Sequence, residues 1–188
     1  MPKFQVVRDN LGGGSSVFMA MRVTSGSGSA ATEALRFAFE NHYLETLRLA
    51  MLLTGTRENA EDLTHDTFVA TAEHIIGLSD GEVGAYLRRS MINRWKNNVR
   101  RLSIERRLSS RFLLRKDQDA QPAVEDRDLL WRAIRSLPSR QRACVILRYY
   151  LDMSERDIAQ ALDCSIGTVK SHTSRALSRL RWEVQDDN

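Results

Sequence analysis

The sequence is poor in the features that mark secreted, membrane-spanning or metal-stapled chains. It holds 2 cysteines in 188 residues, Cys144 and Cys164, with no Cys-x-x-Cys pair and no histidine pair at zinc-ligand spacing. Two isolated cysteines build no disulfide framework, so both are read as reduced, partly buried thiols. No stretch approaches the roughly 18 apolar residues of a membrane span, and Val17 to Met21 is too short for the apolar part of a secretion signal. Prolines number 3, glycines 10 and aromatics 7%, which excludes collagen-like and low-complexity readings. Strand-like alternation never persists long enough to count. What remains is a soluble, cytoplasmic chain of helices whose 42% hydrophobic content can bury the core of one ordinary domain or two small ones.

Charge is plentiful and sorted along the chain. Residues 33–83 carry 3 basic and 10 acidic side chains, and residues 84–116 carry 11 basic and 1 acidic. Residues 117–131 return to an excess of acid, with 1 basic and 5 acidic, and residues 132–188 end with 10 basic against 7 acidic. A concentrated basic block suits phosphate contact, and the acidic block before it suits a second, basic partner. Mutual neutralisation of solvated faces is the competing reading. Arginine outnumbers lysine 24 to 4, a compositional habit that carries no mechanism.

Four segments follow from the pattern. Residues 1–32 include Gly12-Gly13-Gly14-Ser15-Ser16 and Ser25-Gly26-Ser27-Gly28-Ser29, a flexible leader with no face to bury. Residues 33–102 form a helical domain. Its first helix carries Leu35, Phe39, Tyr43, Leu47 and Ala50 and stops at Thr54-Gly55; its second carries Ala60, Leu63, Thr67, Thr71 and Ile75; its third runs from about Val83 to Leu102. Residues 103–124 read as a linker, helical only at its start. Residues 125–184 form a second helical domain, in which Leu137-Pro138 separates two helices. The fold class is therefore all-α, with two small domains joined by a flexible linker.

The sharpest local signal lies near the end. Ser154-Glu155-Arg156-Asp157 is a capping box that opens a short helix, and Asp163-Cys164-Ser165 turns the chain into another. Two short helices joined by such a turn describe a helix-turn-helix. With Val169, Thr173, Ala176 and Leu180 inward, the second helix presents Thr168, Lys170, Ser171, Ser174, Arg175, Ser178 and Arg179 outward. Short polar side chains admit close approach to a major groove, where arginine reaches guanine. Two further faces stand out. Glu58, Asp62 and Asp66 recur at four-residue steps, flanked by Leu63 and Phe68, while Arg89, Asn93, Asn97 and Arg100 share a face with Lys96 and Arg101 beside it. Asparagine among arginines suits an exposed base edge held by its phosphates. Trp95, on the opposite side, is read as core. A metal site built on Glu61, Asp62, His65 and Asp66 has no second cluster to complete its coordination.

Leu137-Pro-Ser-Arg-Gln-Arg142, Ser154-Glu-Arg-Asp-Ile-Ala159 and Gly167-Thr-Val-Lys-Ser171 resemble the C-terminal promoter-reading domain of extracytoplasmic-function sigma factors, subunits that direct bacterial RNA polymerase to promoters. Ala60-Glu-Asp-Leu-Thr-His-Asp-Thr-Phe68 and Tyr86-Leu-Arg-Arg-Ser-Met-Ile-Asn93 resemble the hallmark stretches of the same family's N-terminal domain, and the whole is similar to the actinobacterial SigE type. The resemblance implies polymerase contacts at Glu58, Glu61, Asp62, Leu63, Asp66 and Phe68. It implies capture of the minus-ten strand by Arg88, Arg89, Asn93, Lys96, Asn97 and Arg100, with Asn93 at the base-contacting position, and minus-thirty-five contacts on the second helix of the helix-turn-helix. An anti-sigma partner is expected, a cofactor and enzymatic activity are not. Two departures leave promoter sequence open: His172 and Ser174 stand where many relatives carry arginine or bulk, and the loop Gly77 to Gly84 lacks an aromatic residue.

The connector also passes a geometric test. Promoter elements one and a half turns apart are about 50 Å from each other, which roughly 22 extended residues can span. As free coil such a linker spans about 25 Å, so the free chain is expected to be more compact than the DNA-bound one. Two other functions compete: a helix-turn-helix regulator of the response-regulator output type, which needs a strand-containing domain in front, and a small metal-dependent nuclease using Glu61, Asp62 and Asp66.

Overall fold

The structure is a computed structural model, and it describes residues 5–6, 21–22, 28–109 and 129–186. Gln5–Val6 (β1) pairs antiparallel with Met21–Arg22 (β2), Gln5 opposite Arg22 and Val6 opposite Met21. A ladder of two residues per strand is too short to leave a periodic trace in sequence. The remainder of the leader call lies outside the described residues. Everything else described is helix and turn.

The first module is three helices: α1 (Gly28–Thr54), α2 (Arg57–Thr71) and α3 (Asp80–Ser109). Helix α1 ends because Gly55 adopts φ +82°, a conformation that stops helical hydrogen bonding at little cost only for glycine. Helix α2 buries Ala60, Leu63 and Phe68 together with Thr64, Thr67 and Thr71. The threonines at 67 and 71 tolerate burial because their hydroxyls donate to carbonyls one turn back, Thr67 to Leu63 at 2.7 Å and Thr71 to Thr67 at 2.9 Å. Helix α3 starts at a cap in which Glu82 accepts from the Ser79 amide at 2.8 Å and the Ser79 hydroxyl at 2.6 Å, contacts that hold the Glu82 carboxyl below its usual range. Beyond residue 102, where the sequence reading ended this domain, α3 runs on to Ser109. An Arg101–Glu105 pair at 3.8 Å supports that extension weakly.

The second module packs α4 (Leu129–Ser136), α5 (Ser139–Val145), a π-helical segment (Ile146–Tyr150), α6 (Glu155–Leu162) and α7 (Ile166–Asp186). The π segment widens the helix so that Leu151 N donates to Ile146 O, 3.2 Å away, and the chain can turn at Asp152. Residues 110–128, which hold most of the linker and the expected start of the second domain, lie outside the described residues.

Two apolar clusters fill the first module and the join between modules. The first unites Leu35, Ala38, Phe68, Ile75, Val83 and Leu87, with the Phe39 and Tyr43 rings 4.4 Å apart beside it. The larger one is shared: Leu49, Leu53, Met91, Ile92 and Trp95 from the first module meet Cys144, Leu147, Ile158 and Leu162 from the second. The two modules are therefore packed on each other, α5 against α1 and α6 against α3. A third, smaller cluster of Leu137, Val145 and Ala176 seats α7 on its own module.

Candidate nucleic-acid interface

The helix-turn-helix is built by its caps. Ser154 Oγ accepts from Asp157 N at 3.1 Å and donates to Asp157 Oδ2 at 2.6 Å, starting α6. Asp163, at φ 55°, ends it in the left-handed conformation, with Cys164 N donating to Ala159 O at 3.0 Å. Ser165 then starts α7 by accepting from Thr168 N at 3.1 Å, and its hydroxyl lies 2.9 Å from Thr168 Oγ1. Burial of Val169 and Ala176 fixes the rotation of α7. Lys170, Ser171, Ser174, Arg175, Ser178 and Arg179 are consequently exposed, while Thr168 is half-buried with its hydroxyl engaged at the cap. Lys170 Nζ sits 3.7 Å from Glu155 Oε2, tying the two helices of the motif.

Sequence reasoning missed the neighbour of this face. Arg140, exposed at the start of α5, stands close enough to His172 for its charge to be felt there. Burial lowers the His172 pKa first, and the charges of Arg140 and Arg175 lower it further, so the imidazole is neutral at pH 7. The signal was present, since Arg140 belongs to the Leu137–Arg142 motif, but only the fold brings it beside α7. The same burial acts on the thiols: Cys144 is pushed up to about 11 and Cys164 is raised, both free and protonated at neutral pH.

The basic face of α3 is intact along its length, with Arg89, Asn93, Asn97 and Arg100 all exposed. Two other cations assigned to the minus-ten strand, Arg88 and Lys96, are partly committed elsewhere. Arg88 Nη1 lies 3.1 Å from Glu45 Oε1 on α1, and half-buried Lys96 lines a crevice with Trp95, Val99, Arg140 and Leu162. Trp95 is core, 4% exposed.

On α2 the acidic stripe Glu58, Asp62 and Asp66 is exposed, and Glu61 is half-buried with a partner, Arg57 Nε at 2.7 Å. Leu63 and Phe68 do not belong to that surface. They are 3% and 2% exposed, which corrects their placement among direct contacts. The reason is rotational: each helical residue turns 100°, so Leu63 points a quarter-turn away from the stripe at Asp62, into the core. No described helix is long and apolar enough to cross a membrane.

Comparison with known proteins covers both modules. Residues 38–104 match the family model of sigma-70 region 2, and residues 127–180 match that of sigma-70, region 4. The chain is 36% identical over 140 residues to RNA polymerase sigma-E factor of Streptomyces avermitilis, covering 74% of this chain and 78% of that protein. It is 31% identical over 176 residues to the ECF RNA polymerase sigma factor SigL of Mycobacterium tuberculosis, covering 85% and 95%. In three dimensions it is similar to the sigma factor RpoE solved with the anti-sigma factor NepR from Bartonella quintana, with 25% identity, a TM-score of 0.55, and coverage of 83% of this chain and 99% of that one. The region 2 match occupies the place where a response-regulator reading needs a strand-containing domain, and that alternative is not favoured. With both sigma regions matched in order, the chain belongs to the extracytoplasmic-function family of RNA polymerase sigma factors.

Proposed function

We propose that this sigma factor works through three separate surfaces, acting by positioning and melting DNA and performing no covalent chemistry. The exposed stripe Glu58, Asp62 and Asp66, with Glu61 beside it, holds a basic element of core polymerase. The α3 face, Arg89, Asn93, Asn97 and Arg100 flanked by Arg88 and Lys96, captures the minus-ten strand. The α7 face, Lys170, Ser171, Ser174, Arg175, Ser178 and Arg179 with Thr168 at the cap, reads the minus-thirty-five element. One observation carries the reading: α7 buries Val169 and Ala176 and turns a continuous face of small polar and cationic side chains outward. The protein acts in the cytoplasm, where polymerase and promoter DNA are, and an anti-sigma factor restrains it, as NepR binds the similar RpoE.

Base capture by Asn93 supplies the test. Extruding a base from the stack costs a few kcal/mol, and a pocket that binds the extruded base shifts the melting equilibrium. Asn93→Ala therefore slows open-complex formation on duplex promoter more than on a template already melted at the minus-ten element, read by permanganate reactivity. Equal defects on the two templates contradict the assignment.

A further inference from the structure

The two modules are joined most tightly at the end of α1. The last carbonyls of a helix lack intrahelical partners and carry partial negative charge. Arg142 of α5, 7% exposed, fills that end: Nε donates to Leu53 O at 3.2 Å and Nη2 donates to Thr54 O at 2.9 Å. Its Nη1 donates to Arg135 O at 3.0 Å within its own module. Leu53 O accepts a second bond, from Trp95 Nε1 of α3 at 3.1 Å. A single carbonyl thus collects α1, α3 and α5. Room for the guanidinium exists because residue 55 has no side chain; a Cβ there would lie 2.8 Å from Nη1 and 3.2 Å from Cζ.

This arrangement conflicts with simultaneous reading of two promoter elements. Here α3, the minus-ten helix, packs directly on α6 of the helix-turn-helix, and Lys96 of the minus-ten face lies in the crevice between them. Elements one and a half turns apart require a separation of about 50 Å. A closed chain reaches one element at a time.

We propose that Arg142, seated in the Leu53–Gly55 corner, is an intramolecular latch that holds the two modules of the free chain in this closed orientation. The shared apolar cluster supplies the bulk of the closing force, and the latch gives it one orientation, since a planar guanidinium reaches two adjacent carbonyls at once and an ammonium does not.

The test is energy transfer in the full chain between dyes on Asn98→Cys of α3 and Gln160→Cys of α6, both exposed positions, with Cys164→Ser and the buried Cys144 left in place. Without polymerase, Arg142→Gln and Gly55→Asn each lower the transfer relative to the parent at unchanged helical circular dichroism, and Arg142→Lys falls between. Asparagine tolerates the left-handed backbone at residue 55, so that variant crowds the guanidinium from the opposite module even where Arg142→Gln disturbs α5. Transfer equal to the parent in Gly55→Asn overturns the latch.

Discussion

Arg175 projects from α7 into solvent among Ser171, Ser174 and Ser178, whereas Arg142, from the same module, is buried against the carbonyls of another helix. An exposed arginine flanked by short side chains is free to meet a base edge. Arg175→Ala should therefore cost about 1–3 kcal/mol at a specific promoter and barely change nonspecific binding, measured by titration of matched and scrambled duplexes. His172 gives a pH signature. Its folded pKa lies below the ordinary 6.5, through burial first and then Arg140 and Arg175, so the unfolded chain takes up the proton first as pH falls. The corresponding stability is present above about pH 6.5 and is lost as pH drops through the folded value. Denaturant midpoints at pH 7.5 and 5 should differ less in His172→Gln than in the parent; an identical acid loss would refute this. The exposed arginine was legible from helical periodicity. The buried one was not, because a motif shows that a position is occupied by a cation and not which carbonyls the fold brings to it.

At the scale of elements, the caps explain how much could be read in advance. Ser154, Ser165 and the Asp163 turn announce α6 and α7 from residue type and spacing alone, because capping is a local interaction. Ser165→Ala removes the acceptor for Thr168 N and should lower the stability of the second module by about 1 kcal/mol, seen as a lower thermal midpoint with helix content retained. An unchanged midpoint would show that the cap contributes nothing. The acidic stripe of α2 was likewise visible as a four-residue repeat, while Leu63 and Phe68, which the resemblance groups with it, are buried, since adjacency in sequence is not adjacency around a helix. The reach of α3 to Ser109 and the π segment at Ile146–Tyr150 left no periodic trace. Both depend on what the helix packs against.

For the molecule as a whole, the order of modules was readable, because each carries its own local motifs and a small apolar cluster of its own beside the shared one. The join was not. It is made by long-range contacts, Leu53 and Trp95 with Cys144, Leu147 and Ile158, whose partners lie dozens of residues apart and follow no period. The central claim is that this chain gives core polymerase a promoter preference it otherwise lacks. The direct measurement is transcription in vitro from a randomised promoter library, with 5′ ends sequenced, using core polymerase with and without the purified protein. The account predicts new start sites that appear only with the protein and share two elements at fixed spacing; the same start sites in both reactions would contradict it.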